Sequence, residues 1–189
     1  SVYNGNRQRI VGGGYANGAV MLTPELTATA YTKRHLVPFG EYAPPGFAWF
    51  FRFARIPMSD FTAGAARQEA LNFNGQRIAP NICYEDLFGH VIRRAWSDPA
   101  TAPTMMLNLS NLAWFEDSIA LPQHLQISRM RTLETQHPML RATNTGATAI
   151  VDAWGRVVAQ LPFNTAGALD GTVQGHQGRT PYIRYGNAP

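Results

Sequence analysis

Two side chains in this sequence could share the work of covalent catalysis: Cys83, in NICYEDLFGH (residues 81–90), and Lys33, in YTKRHLVPFGE (residues 31–41). A thiolate placed where a strand hands over to a helix is favoured by unpaired N–H groups and by the helix dipole, so its pKa can fall below the free value of about 8.5. An ammonium beside it would favour ionisation further and could stabilise the oxyanion of a tetrahedral intermediate. Each residue also has a plain structural reading. Free cysteine is among the most buried residue types, and a lysine that closes a strand is commonly exposed. As the only cysteine, Cys83 cannot form an intrachain disulfide in any compartment.

Other chemistries are less well supplied. His35, His90, His124, His137 and His176 show no spacing that singles out a partner for a cysteine protease, and with one Cys and no His pair at i, i+4 there is no metal-ligand pattern. No cofactor is expected. The 16 basic and 12 acidic residues give a net charge of +4. The bases are scattered, without the run of five or six that marks a nucleic-acid tail, so no nucleic-acid partner is expected. With 45% hydrophobic and 15% charged residues the chain can bury a sizeable core as one domain, and it has no run of eighteen apolar residues to span a bilayer.

The elements that must position these residues can be read in outline. YANGAVMLT and LTATAYTKR, within residues 15–34, predict a hairpin that delivers Lys33 at a strand end. HLVPFGEYAPPG follows, and its three prolines and two glycines forbid a regular element. Residues 47–64 concentrate five of the ten Phe with Trp49, Arg52 and Arg55. They predict either a buried helix or a lid at a lipid interface, where rings and snorkelling cations are both favoured. An FNGQ turn leads into the strand RIAPNI, then a helix over DLFGHVIRRAWS with Leu87, Val91 and Ala95 on one stripe. The strand PTMMLNLS precedes a longer helix, residues 118–136, with Pro122 in its first turn and Leu125, Arg129 and Leu133 on one stripe. PMLRATNTG, ATAIVDAWG and RVVAQLPF predict three closing strands, the last two joined by a tight turn at Trp154 and Gly155. The order implies a mixed α/β layered fold.

Taken together, YTKRHLVPFGEYAP, IPMSDF, NICYEDLFG and NLAWF, in that order, resemble the nitrilase (carbon-nitrogen hydrolase) superfamily. Within it they are most similar to the bacterial apolipoprotein N-acyltransferase family. The resemblance implies an α-β-β-α sandwich and a Glu-Lys-Cys triad. It makes Cys83 the nucleophile that takes an acyl group as a thioester, Lys33 the oxyanion stabiliser, and Glu41 the additional glutamate near that lysine. Tyr84 and Glu85 would line the pocket beside Cys83. Trp114 and Phe115 would help close the acyl site, with core packing as the alternative, and Trp49 and Phe50 would belong to a lipid-facing lid.

The implied partners are a phospholipid acyl donor and a diacylglyceryl apolipoprotein acceptor, and the implied place is the bacterial inner membrane, with the catalytic domain facing the periplasm. The alternatives are a soluble amidase or hydrolase of the same superfamily and a catalytically inactive fragment. The chain starts on SVYNGN without an initiator methionine and ends on IRYGNAP, which reads as a piece of something longer. Residues 1–189 are then expected to be a partial carbon-nitrogen hydrolase domain, truncated at its N-terminal side and without the family's transmembrane helices. The triad's glutamate lies well upstream of the lysine in that family. Glu25, eight residues before Lys33 in the hairpin turn, is not assigned to the role, and the fragment alone is expected to be inactive.

Overall fold

The computed structural model describes residues 8–9, 15–23, 26–42, 44 and 61–188. The chain forms two compact units, Ser1–Gln68 and Glu69–Pro189.

In the first unit, β1 (Gln8–Arg9) pairs with β2 (Tyr15–Ala16), and β3 (Gly18–Leu22) pairs antiparallel with β4 (Ala28–Thr32), Gly18 opposite Thr32 and Leu22 opposite Ala28. This is the hairpin expected from the alternation of residues 27–33. Its turn is closed by Thr23 N–H donating to the Thr27 carbonyl (3.0 Å) and by the paired Thr23 and Thr27 hydroxyls (2.8 Å). Lys33 follows β4 directly, its N–H bonded to the Asn17 carbonyl (2.7 Å) and its carbonyl to the Gly64 N–H (2.9 Å). Gly64 admits no side chain, because a Cβ there would meet the Thr32 carbonyl. The described residues of the Pro/Gly-rich segment form no regular element and fold back through a bridge of Pro38 with Tyr42. Glu25, Trp49, Phe50 and most of the aromatic stretch of residues 47–64 lie outside the described residues.

In the second unit, β5 (Leu71–Phe73) and β6 (Gln76–Ile82) form a hairpin across Asn74 and Gly75, both at positive φ, as a two-residue hairpin turn of the mirror-image type requires. A 3₁₀ turn (Cys83–Leu87), α1 (Gly89–Ile92) and a second 3₁₀ turn (Arg93–Trp96) lead to β7 (Met105–Ser110). A third turn (Ala113–Phe115) and α2 (Ala120–Thr135) lead to β8 (Met139–Thr143), followed by β9 (Ala149–Val151), β10 (Val157–Gln160) and α3 (Pro181–Tyr185). The strands make one six-stranded sheet in the order β10-β9-β8-β7-β6-β5, with β6, β7 and β8 parallel and the rest antiparallel.

On the helix-covered face Ala79, Met106 and Met139 stand in register and pack with Ile92, Trp96, Leu125 and Ile183. Burial of each large side chain contributes about 1.5–3 kcal/mol. The Trp96 ring is fully buried, so its Nε1–H needs partners, and it finds the Pro103 carbonyl (2.9 Å) and His137 Nε2 (3.2 Å).

Two helix expectations need correction. The segment after β6 is three short turns of helix, and its buried residues are Glu85, Asp86, Gly89, Ile92 and Trp96, while Leu87 is exposed and Val91 only half-buried. Gly89 lies against the ends of the Arg131, Glu134 and Tyr182 side chains, which a Cβ there would displace. The longer helix forms where expected, with Pro122 in its first turn, but its buried face is Leu121, His124, Leu125, Ser128, Thr132 and Thr135, and Leu133 is exposed. Half of that face is hydroxyl-bearing, which hides it from an apolar-stripe search. Thr132 and Thr135 spend their hydroxyls on the Arg129 and Arg131 carbonyls of the same helix. Among the described residues no helix is long and apolar enough to cross a membrane.

Candidate active site

Cys83 sits immediately after β6, at φ +51. A non-glycine residue in this region costs on the order of 1–3 kcal/mol and persists only where its surroundings hold it. Three contacts do so. The buried Glu85 carboxylate reaches back to accept the Ile82 N–H (2.7 Å), the Cys83 thiol points to the Asn111 carbonyl (3.8 Å), and the Cys83 carbonyl lies 3.3 Å from His124 Nε2. The residue is in no disulfide and is half-buried, so it is held firmly yet reachable. Tyr84 packs edge-on against Phe88, ring centroids 5.0 Å apart.

The loops leaving β7 and β8 lie at the same C-terminal sheet edge as Cys83, where open α/β sheets place ligands. Asn144 donates to the Asn111 side chain (2.6 Å) and accepts the Leu112 N–H (2.9 Å), and Asn111 accepts the Ala113 N–H (3.2 Å). This bracing, with Leu112 buried beneath, presents Trp114 at 85% and Phe115 at 50% exposure. Within this chain neither ring is buried in the core.

Behind Cys83 lies a buried polar network. Arg141 stands in register with Asn108 and, across β7, with Asn81, and the two asparagines are bonded to each other (2.6 Å). The Arg141 guanidinium pairs with Asp86 (3.3 Å), Ser128 Oγ bridges that pair, and Arg141 Nη2 lies 2.9 Å from His124 Nδ1. Burial pushes the Asp86 carboxyl up to about 6 against the opposing pull of Arg141 and Ser128. Burial and the neighbouring guanidinium push His124 down to about 4, so its ring is neutral at pH 7. Desolvation also lowers Arg141, with Asp86 opposing. Oδ1 of Asp86 has no hydrogen-bond partner among the described residues.

In the first unit Lys33 is 1% exposed, and its ammonium grips both oxygens of Glu41, at 2.9 Å to Oε1 and 2.8 Å to Oε2. Asn17 donates to Oε1 (2.8 Å) and the Val37 N–H to Oε2 (2.7 Å). The loop makes this possible: Val37 also accepts the Glu41 N–H (2.8 Å), so the turn through Phe39 and Gly40 folds the carboxylate back onto its own backbone. A buried lysine is thereby paired and fixed in place. It is not the exposed strand-closing lysine of the plain reading.

Sequence reasoning missed His124, Asp86, Ser128 and Arg141 as neighbours of Cys83, together with the bracing pair Asn111 and Asn144. The available signal was chemical: polar residues interrupting short core strands (Asn81, Asn108, Arg141) and a polar stripe, His124, Ser128 and Thr132, at i, i+4, i+8 on α2.

The profile of the carbon-nitrogen hydrolase family matches residues 3–182. The chain is 53% identical over 176 residues to an apolipoprotein N-acyltransferase of Ralstonia nicotianae, covering 93% of this chain and 34% of that protein. It is 57% identical over 166 residues to an apolipoprotein N-acyltransferase of Bordetella bronchiseptica, covering 86% of this chain and 30% of that one. It thus spans about a third of the length of these curated relatives. Among solved structures, a carbon-nitrogen hydrolase from Helicobacter pylori matches with a TM-score of 0.61 at 17% identity, over 82% of this chain and 55% of its own, a likeness of fold. A mixed sheet with a strained cysteine at its parallel edge, and a family match over nearly all its length, mean that this chain belongs to the carbon-nitrogen hydrolase family.

Proposed function

We propose that the protein to which this chain belongs is an N-acyltransferase that moves a fatty acyl chain from a phospholipid to the N-terminal diacylglyceryl-cysteine of an apolipoprotein. The observation that carries the reading is Cys83, held at φ +51 beside an exposed Trp114 and Phe115 loop, in a chain more than half identical to proteins named for this activity. In the proposed reaction a general base takes the thiol proton and the Cys83 sulfur attacks the ester carbonyl of the phospholipid. Lys33 is assigned the positive charge that stabilises the oxyanion, and Glu41 holds that charge in place. The intermediate collapses, the carbon–oxygen bond breaks, and the lysophospholipid leaves with the proton. The free α-amine of the acceptor then attacks the thioester, an amide bond forms, and the Cys83 thiol is restored.

The base is the triad glutamate that the resemblance implies, and no residue of this chain is assigned to it, so the 189-residue chain alone is expected to be inactive. Residues 1–189 are read as part of one catalytic domain working at the inner membrane from its periplasmic side. Trp114 and Phe115 are assigned to acyl-chain contact, Trp49 and Phe50 to the lipid-facing lid, Tyr84 to the pocket wall, and Glu85 to the turn that carries Cys83. The full-length protein, supplied with a phospholipid and a diacylglyceryl-cysteine peptide, should yield N-acylated peptide and lysophospholipid in equal amounts by mass spectrometry. Turnover of short amides without any acyl transfer would replace this reading with that of an amidase.

A further inference from the structure

We propose that His124 is a positioning residue for the nucleophile, a neutral ring locked between the Arg141 guanidinium and the Cys83 carbonyl; the proposal rests on the reading of Cys83 as the thioester-forming residue. A guanidinium has donors and no acceptor. With Arg141 Nη2 at 2.9 Å, His124 Nδ1 is the acceptor, which leaves the ring hydrogen on Nε2, and that N–H donates to the Cys83 carbonyl at 3.3 Å. One tautomer satisfies both ends. The same assignment removes His124 from the role of general base, because its one N–H is committed to backbone and its lone pair to Arg141.

The guanidinium is itself immobilised. It is held by Asp86 (3.3 Å), by Ser128 Oγ, and by the carbonyls of Ala147 (3.3 Å) and His124 (3.4 Å). Ser128 Oγ and the His124 carbonyl belong to one turn of α2, so strand β8 and helix α2 orient the ring together. A continuous run of bonds therefore leads from the middle of the parallel sheet to the elbow that Cys83 forms after β6.

Its effect at Cys83 follows from the planarity of the trans peptide: fixing the carbonyl of Cys83 fixes the whole plane joining it to Tyr84. Without that anchor the residue can relax from φ +51 towards the ordinary negative range, and the sulfur swings with it. Displacements of about 1 Å at a reacting atom can cost up to about a hundredfold in rate.

The test measures the rate of Cys83 alkylation by iodoacetamide, and kcat and KM for acyl transfer, on the full-length protein as wild type, His124→Leu, His124→Gln and Asp86→Asn. Glutamine can accept from Arg141 through Oε1 and donate to the Cys83 carbonyl through Nε2. His124→Leu should slow alkylation and lower kcat by about tenfold or more with KM little changed, and His124→Gln should regain most of both. Asp86→Asn, which loosens Arg141 without altering shape, should fall between. Should His124→Leu fail to fold, the Gln and Asn variants still decide: wild-type alkylation in Asp86→Asn, or a loss in His124→Gln as deep as an unanchored elbow gives, overturns the relay. Equal rates for His124→Leu and wild type overturn it as well. A wild-type Cys83 no faster than free cysteine would instead overturn the nucleophile reading on which the relay rests.

Discussion

Each unit of the molecule buries an ion pair, and the two are satisfied differently. Around Lys33 and Glu41 the carboxylate is saturated: both oxygens take the ammonium, and each takes one further donor, from Asn17 or from the Val37 N–H. Around Arg141 and Asp86 the cation is saturated, by Asp86, Ser128, His124 and two carbonyls, while one carboxylate oxygen is left without a partner among the described residues. A saturated carboxylate serves the cation it holds, here the lysine to which oxyanion stabilisation is assigned. A saturated cation serves the frame around it, here the ring that meets the Cys83 backbone. On the proposed reading the first pair serves chemistry and the second geometry.

Substitutions can separate these roles. In the full-length protein Lys33→Met removes the charge assigned to oxyanion stabilisation and should lower kcat by about a hundredfold or more, with little change in thermal midpoint, because Glu41 keeps Asn17 and Val37. Arg141→Met leaves Asp86 buried and uncompensated and should cost about 3–5 kcal/mol of stability by denaturant unfolding, and the double change with Asp86→Leu should recover most of it. If Lys33→Met unfolds the protein while Arg141→Met leaves stability unchanged, the contrast between the pairs is wrong. Glu41→Gln keeps the shape of the clamp and weakens its charge. It should lower kcat by about tenfold, less than loss of the lysine itself.

A smaller effect lies in the pH dependence. Asp86, raised from 3.8 to about 6, binds a proton on folding between those values, so its contribution to stability falls as pH rises through that window. His124, lowered from 6.5 to about 4, releases a proton on folding, so its contribution rises with pH from about 4 to 6.5. In the wild type the two slopes oppose and largely offset each other. Asp86→Asn should unmask a rise in unfolding free energy between pH 4 and 6, and His124→Gln a fall, each on the order of 2 kcal/mol by denaturant unfolding. Parallel profiles for the two variants would contradict the network's charge assignment.

The elements whose sequence obeyed local rules were legible. The hairpin of β3 and β4 alternates, the FNGQ turn carries its Asn-Gly pair, and β6, β7 and β8 are short runs between turn signals. Lys33, Glu41 and Cys83 were singled out through their motif blocks, and the structure adds the Lys33–Glu41 pair and the positive φ of Cys83. The helices near Cys83 were misread in phase because part of what they bury is small or polar: Glu85, Asp86 and Gly89 beside Ile92 and Trp96 in one, and His124, Ser128, Thr132 and Thr135 beside Leu121 and Leu125 in the other. Apolar periodicity cannot see a face chosen to surround an arginine. Nor does chain spacing reveal that Arg141, His124 and Asp86 meet, since that depends on the register of β8 against β7 and on the packing of α2.

The central claim is a covalent acyl group on Cys83. Full-length protein incubated with phospholipid and no acceptor, then digested and weighed by mass spectrometry, should carry one acyl adduct on the peptide containing Cys83, removed by neutral hydroxylamine and absent from Cys83→Ala, whose acyl transfer should fall about a thousandfold or more. An unmodified Cys83 under conditions where the enzyme turns over, or full activity in Cys83→Ala, would contradict the account.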